Sequence, residues 1–177
     1  MVIDSFASIA APDLQPVFDA LSATPLSRFV RESEWAFPAI ESAHVVAIAL
    51  VVGMITIVDL RLLGLASARA AYTDISAAVL PWTWGAFTLA ALSGTLMFIS
   101  QPGAYWENLA FRMKIGLLFF AGANVLFFHL VTCRDVSRWN HESSAPLPAR
   151  LAAMLSLALW IAVVFLGRWI GFTMTPA

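Results

Sequence analysis

Charge is scarce in this sequence: Asp, Glu, Lys and Arg make up 12% of its 177 residues, about half of the ~25% an ordinary soluble domain carries. That shortage excludes a water-facing globule. Lysine occurs once, at Lys114, and the formal net charge is −1, so no basic field exists to neutralise phosphates and nucleic acid is excluded as a partner. Cysteine also occurs once, at Cys133, which excludes an intrachain disulfide and leaves the redox compartment unread. The opening Met1-Val-Ile-Asp-Ser-Phe6 has neither a basic start nor a continuous apolar core, and no signal peptide is read there. A Gly-rich phosphate loop, a nucleophile elbow and a His-Glu-x-x-His helix are all missing, so hydrolytic catalysis has no visible machinery.

What the sequence has is long apolar runs: 60% of it is hydrophobic. A helix needs about 20 such residues to cross a bilayer, and four stretches qualify, at about 36–62, 79–100, 110–132 and 150–172. Pro81-Trp82-Thr83-Trp84 opens the second, and Ser100-Gln-Pro-Gly103 closes it. Trp82, Trp84, Tyr105, Trp106, Trp139 and Trp169 fall at span ends, as aromatic belts do. Short connections make neighbours antiparallel, which predicts an all-α, up-down, four-helix membrane bundle over residues 35–177 with both termini on one side. Residues 1–34 form a separate segment. There Leu14, Val17, Phe18 and Leu21 recur at helical spacing, and Pro25 opens a second short helix reaching Phe29 and Val30. Two readings stand for that segment: an amphipathic helix lying along the membrane surface, or an ordered tail packed on the bundle. Arg61, Arg69, Arg134, Arg138 and Arg150 in the 1–2 and 3–4 loops outnumber Arg28, Arg31, Arg112 and Arg168 on the other side. The bias puts those loops in the cytoplasm and both termini in the periplasm of a bacterial inner membrane.

Inside these spans the polar residues fall into two layers. Trp35-x-x-Pro38-x-x-Glu41-x-x-His44 opens the first span, placing Glu41 and His44 about 60° apart on one helix face. Ionisable groups at that depth are costly unless they face partners or a cavity, so they mark a candidate site. Lys114, Met97, Met113 and Arg168 share this outer layer; Asp59, Arg61, His129 and Arg134 share an inner one. The stripes Glu41, His44, Ile48, Val51, Ile55, Asp59 and Lys114, Leu118, Ala121, Val125, His129 predict that spans one and three face each other. Glu41 would then pair with Lys114, and Asp59 with a cation. Ion pairs that only fix helix register are the competing reading. His44 is either hydrogen-bonded to Glu41 or a backbone carbonyl, or a metal or haem-iron ligand oriented through its second ring nitrogen. His44 and His129 differ in depth by roughly 15 Å, so they do not share an iron, and a haem at His44 would be five-coordinate or use Met97. His44 with Met97 and Met113 would alternatively suit Cu(I). His141, in the 3–4 loop, is expected to be solvated. Small residues on span two (Gly85, Ala86, Ala90, Ser93, Gly94) would let a helix or a flat ligand approach closely.

The first-span motif, followed by Asp59-Leu-Arg-Leu-Leu-Gly64 and by Lys114, Asn124 and His129, resembles an uncharacterised family of bacterial four-span membrane proteins over about residues 28–132. More distantly, the chain is similar to the superfamily holding the copper-resistance D proteins and the HemJ-type protoporphyrinogen oxidases. His44, Gly53 and Arg61-Leu62 match the histidine helix of the latter, and Phe111-Arg-Met-Lys114 its lysine helix. This likeness implies haem b at His44 with Lys114 beside it. The Lys114-to-Asn124 spacing, shared with the copper-resistance D proteins, implies copper handling instead. Glu41 departs from the HemJ-type pattern, and charged residues to surround a porphyrinogen are lacking.

The expectation is therefore a haem b protein for electron transfer with its pocket in the outer layer. His44 is the axial ligand, Glu41 orients it, Lys114 balances charge or relays protons, and Arg168 meets an anion or propionate. Asp59, Arg61 and His129 form the second polar cluster. Partners are the lipid bilayer and other membrane or periplasmic redox subunits. Copper handling and a non-catalytic anchor or assembly subunit are the alternatives.

Overall fold

In a computed structural model, residues 14–67, 70–142 and 145–174 are described. The leading residues from which the absence of a signal peptide was read, and Arg69 of the orientation count, lie outside that set. Helices α1 (Gln15–Ser22) and α2 (Pro25–Glu32) precede the long α3 (Ala36–Leu62) and α4 (Tyr72–Ser100). A short α5 (Pro102–Glu107) leads to α6 (Leu109–Phe127), and after a distorted stretch come α7 (Val136–Trp139) and α8 (Leu147–Thr173). Among the described residues there is no strand, and α3, α4, the run from Leu109 to Trp139, and α8 are long and apolar enough to span a membrane. The molecule is an all-α, four-helix, multi-pass bundle whose outward-facing apolar side chains meet lipid.

The first span occupies the residues its apolar run predicts. Ser33 Oγ accepts the Ala36 amide at 3.3 Å to start it. Gly64, at φ 73°, ends it: its amide bonds Arg61 O and the Leu65 amide bonds Leu60 O, the paired bonds of a glycine-terminated helix. The second span begins seven residues earlier than the sequence predicts, at Tyr72, with Pro81 inside it. Asn140, from the 3–4 loop, holds that start. Its carbonyl accepts the Tyr72 amide at 3.1 Å and its Oδ1 accepts the Thr73 amide at 3.0 Å. The third span runs past its predicted end through a π-helical turn at Phe128–Thr132 and a 3₁₀ turn at Cys133–Asp135. Asn108 caps α6 through the Phe111 amide and reaches Thr173 of α8 at 2.9 Å.

Helix α3 packs on α4 and α8, and α6 packs on α8. Spans one and three are therefore not face to face as their stripes predict. The two closely packed pairs meet through α3 and α8; the backbones of α4 and α6 stand further apart, joined at the cap end by the stacked rings of Phe98 and Phe111, 5.5 Å between centroids. Three apolar clusters fill the interior. One lies at the loop end around Tyr72, Phe128 and Trp139, one at mid-depth around Val51, Trp160 and Val163, and one around Tyr105, Ala110 and Ile170. The last sits at the opposite end, here the cap end, where α1 and α2 also pack. Phe18 of α1 is buried against Phe98 and Trp106, while Leu26 and Phe29 of α2 stay exposed.

Candidate functional site

The cap-end layer is built from all four spans. His44, half-buried on α3, turns toward α4, where its Nδ1 lies 3.0 Å from Ser93 Oγ. The Ser93 hydroxyl has its own acceptor, Leu89 O at 2.6 Å. With that proton committed, the serine oxygen accepts from Nδ1–H, and Nε2 is left as the lone-pair nitrogen. The imidazole packs against Gly94 with Cε1 nearest: a Cβ there would stand 2.9 Å from Cε1. A side chain there would evict the ring.

Lys114 enters the same layer from α6. Its Nζ lies 3.4 Å from where a Cβ on Gly167 of α8 would stand, and its charge is felt at His44. No hydrogen bond or ion pair to Lys114 exists among the described residues. Neither Nζ nor the His44 Nε2 is among the sealed, unpartnered polar atoms. The layer thus presents one open nitrogen lone pair and one open ammonium.

The other expected members stand elsewhere. Glu41 is exposed and makes no bond to His44; Ser93 holds the position the sequence gives to Glu41. The Glu41 carboxylate faces Tyr105 of α5 instead, whose phenol is pushed up to about 12, first by burial and then by that charge. Glu41 and Lys114 form no ion pair, because α3 and α6 do not face one another. Met97 packs against the apolar cap-end cluster. Met113 is 52% exposed, and no group of three or more His, Cys, Asp or Glu that could hold a metal occurs among the described residues. Arg168 is exposed and lies 4.7 Å over the Phe172 ring.

The second polar cluster separates into three. Asp59 is buried on α3 and faces the hydroxyl of Ser156 on α8. Arg61 is completely buried and ties both loops together, donating to Ala70 O at 2.7 Å, Glu142 O at 2.9 Å and Asn140 O at 3.2 Å. His129 is exposed and bonds Val125 O of its own helix at 2.9 Å. His141 is exposed, as expected.

Residues 36–173 match a family of unknown function, DUF6644. The chain belongs to DUF6644. The match runs from the first residue of α3 to the last of α8, so the four spans and both polar layers are family territory, while α1 and α2 lie before it. No curated protein and no solved structure matches the chain. Within the family region, sequence reasoning gave Gly167 and Ser156 no role and gave Ser93 and Gly94 only a packing one. The Ser93-Gly94 pair was legible as a small-residue patch; that it receives His44 was not.

Two apolar surface grooves, one between α6 and α8 beside Asn124 and one between α3 and α4 beside Pro81, are lined by neither His44 nor Lys114. Asn124 serves packing, its Nδ2 donating to Ala152 O at 2.9 Å. For a haem, the donor chemistry of the cap-end layer fits: one neutral imidazole with its second nitrogen anchored, and one free cation for a carboxylate.

Proposed function

We propose that this DUF6644 protein binds b-type haem in its cap-end layer for electron transfer. Nε2 of His44 would hold the iron, with Ser93 fixing the imidazole tautomer, and Lys114 would balance the charge of a carboxylate on the group. The bound haem would supply reversible one-electron chemistry. The chain's own residues contribute the anchored imidazole, the ammonium and a surrounding apolar wall that excludes water. The observation that carries this reading is the bond from His44 Nδ1 to Ser93, which frees Nε2 in the layer that also holds an unpartnered Lys114. On this reading the cap end would face the periplasmic side of a bacterial inner membrane, the side that the arginine bias of the loops favours, where a redox subunit could reach it.

The test is optical. Full-length protein purified in detergent from haem-replete cells should carry a Soret band that shifts on reduction, and His44→Ala should lose it. A colourless protein, or a band unchanged in His44→Ala, overturns the reading.

A further inference from the structure

Asp59 is the one carboxyl among the described residues that is buried inside a span, 5% exposed, and it stands well away from the cap-end layer. At about 1.5 Å per residue it lies some 22 Å along α3 from His44. One of its oxygens faces Ser156, and Oδ2 is sealed with no hydrogen-bond partner. No ion pair reaches it. The nearest cation in sequence, Arg61, gives Nε and Nη2 to the carbonyls of Ala70, Asn140 and Glu142; its Nη1 is buried without a partner but forms no ion pair with Asp59. A carboxylate in a low-dielectric interior with neither counter-ion nor full hydrogen bonding is expensive, and proton uptake is the chemistry that relieves it.

The surroundings suit a proton. From α4, Tyr72 lies within electrostatic reach of Asp59, with Ser76 and Cys133 bonded to its hydroxyl. From the stretch after α6 come Cys133 and Thr132, the latter buried with its hydroxyl unpartnered. That stretch includes a π-helical turn, a distortion frequent at functional sites. From α7 comes Trp139, its indole N–H also buried and unpartnered. From α8 comes Ser156. Exchangeable groups thus gather at the loop end, and buried polar atoms left unpartnered are where an ordered water is expected. Asp59 itself is three residues from the last residue of α3.

We propose that Asp59 is a reversible proton-binding site served from the loop end of the bundle. A hydronium ion arriving through the loop-end groups gives its proton to Oδ2 and leaves as water; release reverses the transfer. The carboxyl passes between negative and neutral, no electron moves, and Ser156 stays beside the other oxygen.

Infrared difference spectroscopy on the full chain in lipid vesicles, titrated between acidic and alkaline pH, tests this without reference to any cofactor. The wild type should show a carboxyl C=O band from a buried acid that disappears as pH rises. Asp59→Asn should lose that band alone, while Glu41→Gln and Asp74→Asn should retain it. Ser156→Ala, which keeps the carboxyl, should move the band without removing it, and serves if the asparagine variant does not fold. Superimposable titrations of wild type and Asp59→Asn, or a Ser156→Ala spectrum identical to wild type, overturn the proposal. Because the readout is a carboxyl vibration, a haem-free protein could still pass, and a haem protein could still fail.

Discussion

The imidazole of His44 rests on the one place in that turn of α4 where no side chain would meet it: a Cβ on Gly94 would stand 2.9 Å from Cε1. Gly94→Ala should therefore have two opposite effects. The alanine favours the helix by up to about 1 kcal/mol, but the ring must turn away and lose Ser93. Thermal stability in detergent is expected to change little, while any optical signature that depends on His44 weakens or vanishes. A full signature with Ala at position 94 would mean that the ring does not use the glycine surface.

Ser93→Ala leaves the ring where it is and removes its acceptor. The Nδ1–H then lacks its bond in a half-buried site, a loss of roughly 1–3 kcal/mol, and the tautomer is no longer fixed. Reduced affinity for the His44-bound group with the fold intact is the expected outcome, and Ser93→Thr, which keeps the hydroxyl, should recover most of it. Equal behaviour of the alanine and threonine variants would show that the hydroxyl is not the anchor.

His129 provides the control. It is exposed and bonded only to its own helix, so His129→Leu should alter stability by no more than about 0.5 kcal/mol and leave the spectrum of the wild type unchanged. A lost band in this variant would place the ligand at the wrong histidine.

What was legible follows from range. The first span needs only its own apolar run and the glycine that ends it, so its limits are local information. The start of the second is held by Asn140, from a loop 67 positions further on, and no local signal announces that. Pro81 reads as a helix opener because its missing N–H is harmless only near a start; the tertiary cap lets the helix begin upstream of it. The site divides the same way. Depth along each helix put His44 and Lys114 in one layer, and the structure keeps them there. The stripes of spans one and three both turn inward, and Val51, Ile55, Leu118 and Ala121 share the mid-depth cluster, but a stripe of ionisable residues says which face is inward and not which neighbour it packs on most closely. Glu41 was lost for that reason, since a turn nearer the cap it meets Tyr105 rather than a helix.

Arg61 decides whether the loop end stays closed. Its three carbonyl acceptors come from the 1–2 and 3–4 loops, and bonds to a charged donor each contribute about 1.5–3 kcal/mol. Arg61→Ala should cost roughly 3 kcal/mol or more and expose both loops to protease. Arg61→Lys keeps the charge but not the planar fork, and should fall between. If Arg61→Ala unfolds at the wild-type temperature with loops equally resistant, the staple contributes nothing.

Tyr105 gives a pH dependence whose sign can be worked out. Its phenol, buried beneath the cap and facing Glu41, titrates at about 12 rather than 10.0. Between those values the folded protein keeps the proton and the unfolded chain has lost it. The unfolded state then binds fewer protons, so stability falls as pH rises. The contribution is fully present below the unfolded pKa and is lost on passing through the folded one, at a slope on the order of 1 kcal/mol per pH unit. Unfolding of wild type and Tyr105→Phe should run parallel below about pH 10 and diverge above it, the phenylalanine variant showing the shallower decline. Glu41→Gln removes the second cause and leaves burial, so the decline should begin at the same pH, set by the unfolded chain, and level off slightly sooner than in the wild type. Parallel curves for wild type and Tyr105→Phe throughout would mean that the phenol is solvated and the cap open.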